Sequence, residues 1–326
     1  MTRQITAPPP RRTFPWPWRD RQGRFSALKA MVLASLFLPG LWLTAQAGQG
    51  ALGGRPIMEA IHSTGLWAVR ILLISLLVTP LRQLLRWPEA MLVRRMLGLG
   101  ALAYALLHLL LYALDLQWDL PRIASEIALR VYLTIGFLAL LGLAVLGATS
   151  TDGWVRRLGG RRWQALHRAV YGIAVLALVH FALQSKIDVT EAILMSGLFL
   201  WLMGYRLLRP GPALSRSPVP SRPLAPSRSG ASRQGAPGPG RLLLLALAAA
   251  LATALLEAGW YAVASGVPPG PVLLANLDLA FGPRPAVWVG LAGLGMLGLR
   301  AARLLRERLA GEAPARRSAA RRQPEA

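Results

Sequence analysis

The chain has 326 residues, 54% of them hydrophobic, a mean hydropathy of +0.43 and a formal net charge of +23 from 37 basic against 14 acidic side chains. It has no cysteine, which excludes disulfides, thiolate metal sites, iron–sulfur clusters and thioether-linked cofactors and leaves histidine as the only strong transition-metal ligand. The arginines sit beside apolar runs, where an orientation signal and anionic lipid headgroups account for them, so the charge does not imply nucleic acid.

Those runs are about 18–22 residues long, enough to cross ~30 Å of hydrocarbon at ~1.5 Å per residue, and predict an all-α integral membrane protein. Residues 1–27, with RRTFPWPW, form a flexible basic N-terminal arm. RRTF is similar to a twin-arginine signal, but no small-residue cleavage site follows, so the first apolar run reads as a retained anchor. Six spans fall within residues 28–208: Leu28 to Ala45, His62 to Thr79, Met96 to Leu114, Val131 to Ala148, Ala165 to Leu183 and Ala192 to Leu208. The first is interrupted by Pro39 and Gly40, which a membrane helix tolerates. Residues 209–240, RPGPALSRSPVPSRPLAPSRSGASRQGAPGPG, have linker composition. Two more spans, Leu242 to Val263 and Ala286 to Leu305, make a two-helix C-terminal membrane module over 241–306. Its expected docking face is Gly290, Gly293, Gly295 and Gly298. Residues 307–326 are a basic tail.

Arginine marks alternate loops: the N-terminal arm, then Arg82, Arg86, Arg94 and Arg95, then Arg156, Arg157, Arg161 and Arg162, then the linker and the tail. The intervening loops are neutral or acidic, with Asp115, Asp119 and Glu126 in one and Asp188 and Glu191 in another. Both termini are therefore expected on the cytoplasmic side of the membrane.

All four histidines lie in or at the edge of these runs, and an intramembrane imidazole is costly unless paired, hydrogen-bonded or metal-bound. Counted from the arginine clusters, His108 lies ~20 Å from the cytoplasmic edge, His180 ~27 Å, His167 ~8 Å and His62 ~30 Å. His108 and His180 are the closest match on separate helices, and two imidazoles at one level can fill the axial positions of a b-type heme, whose porphyrin supplies the other four ligands. His167 is ~20 Å from His180 and ~140° around an ideal helix, unless the helix bends near Gly172. It is either a ligand of a second heme or a neighbour of the entry cofactor. Tyr104, His108 and Tyr112 form an i, i+4, i+8 polar stripe that must face the bundle. His62 is either a site residue or, with Ser63 and Thr64, part of a capped interfacial turn. Arg70 needs an anion, for which a heme propionate or a path to headgroups would serve, and Glu257 in the seventh span has no obvious partner.

RRMLGLGALAYALLHLLLYALD, RVYLTIGFLALLGLAVLGATS, RRLGGRRWQALHRAVYGIAVLALVHF and HSTGLWAVRILLISLLVTPLR together resemble the MsrQ (YedZ) family, heme-binding membrane subunits of the periplasmic methionine sulfoxide reductase system, within the ferric reductase-like transmembrane group. The resemblance covers about residues 28 to 205. It implies a six-helix heme-binding transmembrane bundle, with the last two spans outside it, and places His108, His167 and His180 on the family's heme-associated histidines. It also implies heme b and FMN as cofactors. Electrons would pass from a cytosolic flavin reductase or the quinol pool to a periplasmic molybdenum-cofactor methionine sulfoxide reductase of the MsrP type.

No strand–helix alternation or suitably placed GxGxxG supplies a nicotinamide or soluble flavin domain. With no nucleophile–base pair or hydrolase-type metal cluster, the chain reads as an electron relay without substrate chemistry of its own. The rival readings are a proton or ion transporter using the histidines and Arg70, and a ferric reductase-like cytochrome with another acceptor.

Overall fold

A bilayer offers no water to unpaired backbone groups, so an apolar chain must satisfy them inside helices. The computed structural model describes residues 16–19, 23–185, 188–208, 236–280 and 282–320, the last stretch by its backbone alone at 307–308 and 310–320. Among these residues there is no strand beyond an isolated bridge between Arg19 and Phe25. Most of the N-terminal arm, residues 209–235 of the linker and the end of the tail lie outside the described residues, as do Lys186 and Ile187.

The helices are α1 (Ala27–Gly48), α2 (Pro56–Leu84), α3 (Arg94–Asp115), α4 (Leu120–Leu129), α5 (Val131–Ala148), α6 (Asp152–His167), α7 (Val170–Ser185), α8 (Thr190–Leu207), α9 (Pro239–Ser265), α10 (Pro269–Ala275) and α11 (Pro285–Ala320). A 3₁₀ turn at Pro88–Leu92 joins α2 to α3. Seven helices among the described residues are long and apolar enough to cross a membrane, and the protein is a multi-pass all-α membrane protein. They are α1, α2, α3, α5, α6 with α7 taken as one stretch, α9 and α11 to Arg306.

The remaining predicted span, α8, is 18 residues long and is not among the seven. Thr190, Glu191, Ser196 and Arg206 dilute its apolar character. Its neighbours explain why that is tolerated. α8 packs on α2 and α7 on one side and on α9 and α11 on the other, burying Ile193, Met195, Phe199, Trp201, Leu202 and Tyr205. A helix that meets mostly protein can carry polar groups that lipid would penalise.

In the core α2 packs most closely on α3 and α5 on α7, and α1 leans mainly on α2 and α3. Pro39 and Pro80 each open a turn within a helix, and a side chain from a neighbour repairs each. In α1 the turn at Pro39 opens, and the Tyr104 hydroxyl bridges it, accepting from the Gly40 amide at 2.9 Å and donating to the Leu36 carbonyl at 2.8 Å. In α2, Pro80 has no N–H for the Leu76 carbonyl four residues back. Arg206 of α8 supplies the donor at 2.7 Å, and its guanidinium also meets the Tyr171 hydroxyl at 3.2 Å.

The fifth predicted span is two helices. The chain tightens at Arg168 and Ala169 through three-residue turns, Ala169 N to Leu166 O at 3.0 Å and Tyr171 N to Arg168 O at 3.1 Å. The break therefore precedes Gly172, and Trp163 to His167 belong to α6, a basic helix kinked at Gly159 (φ 72°). The backbone of α11 continues to Ala320, through Gly311 and Pro314.

The C-terminal pair reaches the core through close approach. A Cβ on Gly293 would sit 2.6 Å from the Ala246 Cβ and 2.9 Å from Trp201 Nε1, and Gly290 meets the Ala250 Cβ at 3.5 Å. Gly295 and Gly298 face nothing within 4 Å, so only half of the predicted glycine face is used. The complementary glycines are on α8, where a Cβ on Gly197 would lie 2.3 Å from Thr253 Oγ1 and 2.6 Å from Val289 Cγ2, and one on Gly204 would lie 2.4 Å from Leu245 Cδ1. Glu257, only 2% exposed, has partners after all: Arg284 at 2.8 Å and Asn276 at 3.0 Å tie α9 to α10 and to the start of α11. Gly197→Val is expected to force α8 from α9 and α11 at a cost of about 1–3 kcal/mol, read as a lower thermal midpoint of the detergent-purified protein.

Candidate functional site

Two histidines predicted to share a level are brought together edge-on. His108 on α3 and His180 on α7 have ring centroids 6.3 Å apart and planes at 82°. Each ring is fixed through Nδ1, His108 to the Ile61 carbonyl of α2 at 2.8 Å and His180 to the Tyr132 carbonyl of α5 at 2.7 Å. A carbonyl only accepts, so each Nδ1 carries the proton and each Nε2 keeps its lone pair. That is the arrangement by which a metal-ligating histidine is oriented.

The two carbonyls are reachable for the same local reason. Four residues after Ile61 stands Gly65, and four residues after Tyr132 stands Gly136. A Cβ on Gly65 would be 3.0 Å from His108 Nδ1, and one on Gly136 would be 2.6 Å from His180 Nδ1. A glycine inside a helix costs ~1 kcal/mol relative to alanine. Here each one bares a carbonyl already bonded within its helix and lets its second lone pair take an imidazole. The sequence carried a signal for this, glycine inside an apolar span opposite a histidine, and sequence reasoning missed it.

His167 is placed apart from this pair. It lies at the end of α6, against the C-terminus of α5, with Nε2 3.3 Å from Thr149 Oγ1. The Thr149 hydroxyl is given to the Val145 carbonyl at 2.8 Å, so Nε2 of His167 is the donor. Its ring stacks on Trp163 at 4.0 Å, and the Trp163 indole donates to the Thr149 carbonyl at 2.9 Å. His180 meets α5 at its first turn and His167 at its last, so the two are separated by nearly the length of that helix. At the same end, Arg161, Arg162, Ala165 and Arg168 line an open cavity of ≈ 420 Å³.

His62 is exposed, on the second turn of α2. It does not belong to a cap: the helix starts at Pro56, Arg55 makes no side-chain cap bond, and Thr64 bonds back to the Ala60 carbonyl at 2.8 Å within the helix. Arg70 finds its anion in Glu191 of α8 at 3.1 Å and lies 5.1 Å over the Trp67 ring. The tyrosine stripe serves two connections, Tyr104 to α1 and Tyr112 to Glu126 of α4 at 2.9 Å.

A helical membrane bundle with two facing, carbonyl-anchored histidines on separate helices defines a class, and residues 64–178 match the family described as "Ferric reductase like transmembrane component". A protein of Xanthomonas campestris pv. campestris (strain 8004), "Protein-methionine-sulfoxide reductase heme-binding subunit MsrQ", is 46% identical over 185 residues, which are 56% of this chain and 84% of that protein. A protein of the same name from Rhodospirillum rubrum is 43% identical over 199 residues, 61% of this chain and 92% of its own length. The chain belongs to the MsrQ family. No solved structure matches it.

Tyr104 shares a helix face with His108, one turn away. Tyr104→Phe is expected to leave the Gly40 amide and Leu36 carbonyl unbridged, costing about 1–3 kcal/mol, with faster hydrogen exchange at Gly40 as the direct readout.

Proposed function

We propose that this protein is a b-type cytochrome of the bacterial inner membrane that carries electrons outward to a periplasmic, molybdenum-cofactor methionine sulfoxide reductase of the MsrP type. The observation that carries this reading is the His108–His180 pair. Two imidazoles that shared one metal would have ring centres ~6 Å apart, from a metal–nitrogen bond of ~2 Å and ~1 Å from nitrogen to ring centre on each side, and the observed spacing is 6.3 Å. Among the described residues no group of three or more histidines and carboxylates could hold a bare metal ion. Two imidazoles alone suit a metal that arrives with its other ligands, as in heme b. The names of the relatives point to the same group.

Bound there, heme b supplies a one-electron carrier. The residues of this chain fix its ligands: Ile61 and Tyr132 hold the imidazole tautomers through their carbonyls, and Gly65 and Gly136 leave room for the rings. The alternation of arginine-rich and acidic loops supports cytoplasmic termini, which puts the pair nearer the periplasmic side and His167 at the cytoplasmic side. Electrons would enter at that inner end from a cytosolic flavin reductase or the quinol pool. His167 there is a second ligand or a hydrogen-bonding neighbour of the entry cofactor. For FMN, the cavity lined by Arg161, Arg162 and Arg168 has the charge to hold a phosphate. Arg70, already paired with Glu191, and the exposed His62 lie on α2, the helix whose carbonyl holds His108, and would be the side chains of that helix available to heme propionates.

Purified protein is expected to show a Soret band and a dithionite-induced alpha band, and a colourless preparation would reject the cytochrome reading. His108→Ala and His180→Ala should remove the same spectral component, with His167→Ala affecting another component or only the rate of reduction. Gly136→Ala should lower heme content several-fold, and more than Gly65→Ala, because its Cβ intrudes further on the ring it faces. Neutralising Arg161, Arg162 and Arg168 together should weaken FMN binding by about tenfold or more, the scale of losing a charge-assisted phosphate contact, measured by fluorescence titration.

A further inference from the structure

We propose that Glu126, on the short amphipathic helix α4, is a positioning residue that sets the redox potential of the His108–His180 site through a circuit of side chains linking the two histidine helices. The inference rests on the heme reading above and adds to it a control element in the outer loop. Tyr112 stands one helical turn beyond His108 on the same face of α3, and its hydroxyl donates to Glu126 Oε2 at 2.9 Å. The same carboxylate faces Arg130 Nη2 at 3.5 Å and Arg122 Nε at 3.6 Å. Arg130 also donates to the Tyr132 hydroxyl at 3.3 Å. The Tyr132 ring lies against His180, with centroids 6.3 Å apart and planes at 23°, and the Tyr132 carbonyl is the group that holds His180 Nδ1. Thr134 Oγ1, donating to the Ile127 carbonyl at 2.6 Å, fastens α4 onto α5. Starting from His108 one therefore reaches His180 through Tyr112, Glu126, Arg130 and Tyr132.

The charges in this circuit are unequally placed. The side chain of Glu126 is 18% exposed, whereas those of Arg122 and Arg130 are 60% and 53% exposed. Solvent screens the guanidinium groups more than the carboxylate, so the field reaching the pair from Glu126 is not cancelled by its partners. Adding one electron to the site lowers its charge by one unit, from ferric to ferrous iron. A nearby negative charge favours the more positive, oxidised form and holds the midpoint potential down, while a positive charge raises it. The carboxylate is also the joint between α3 and α4, so its loss frees Tyr112.

The test is a potentiometric titration of the detergent-purified holoprotein at fixed pH, following the alpha band that His108→Ala removes. Glu126→Gln should shift the midpoint upward and Arg130→Gln downward, with heme content and band positions unchanged. Opposite shifts are the signature of charge; a structural disturbance that merely lets water reach the site would move both variants the same way. Should Glu126→Gln fail to retain heme, Glu126→Asp must keep the wild-type midpoint while Arg130→Gln still lowers it. Parallel shifts, or none, in proteins with normal heme content overturn the assignment alone. Wild-type protein with no heme band overturns the heme reading, and this assignment with it.

Discussion

The fold's functional geometry hangs on two hydrogen bonds from imidazole Nδ1 to helix carbonyls, Ile61 for His108 and Tyr132 for His180. Each needs a helix carbonyl that is satisfied within its own helix yet still approachable from the side. Only the absence of a Cβ four residues later provides that approach, and Gly65 and Gly136 provide it in two closely packed helix pairs, α2 with α3 and α5 with α7. The consequence is chemical as well as steric. Because a carbonyl cannot donate, the bond selects one tautomer, and both Nε2 atoms are left as bases in an environment that would otherwise expel them.

The same economy governs the rest of the bundle. A proline inside a membrane helix frees a carbonyl, and in lipid that carbonyl needs a donor. The Leu76 carbonyl obtains one from Arg206, and the opened turn of α1 takes the Tyr104 hydroxyl as both acceptor and donor. These polar contacts join helices that apolar packing alone would leave free to slide, since lipid competes equally for aliphatic surface. They run from α1 to α3 and from α8 to α2, so the helix bearing His108 and the helix whose carbonyl holds it are each tied to a further neighbour.

Much of this was legible in the chain before any coordinates, because hydrocarbon thickness fixes span length and apolar runs announce themselves. Depth along a helix follows from counting residues, so the pairing of His108 with His180, and the distance of His167 from both, could be anticipated from ~1.5 Å per residue. What counting cannot supply is which side chain from another helix fills a given gap. Arg70 and Glu191 are 121 positions apart, and Arg206 and Leu76 are 130 apart; no local pattern links such pairs. The break at Arg168–Ala169 was hidden for a different reason. The run from Trp163 to Ser185 is helical in composition throughout, and neither proline nor glycine marks the turn.

A linker rich in Pro, Ser and Arg suggests a separate C-terminal module, and the described part of that module packs closely on α8. α8 turns Gly197 and Gly204 toward α9 and α11, with gaps too small for a methyl group, and from its other faces it meets α2 and α7, one contributing the carbonyl under His108 and the other carrying His180. Removing α9 and α11 would bare to lipid a helix in contact with both, including a Trp201 indole N–H buried there with no hydrogen-bond partner among the described residues. Glu257 gives the pair its own internal lock, for a carboxylate at 2% exposure is stable only while Arg284 and Asn276 stay in place, and these lie on the segment that caps α9 and leads into α11. The C-terminal pair is thus locked internally and packed on α8, a helix that contacts both α2 and α7.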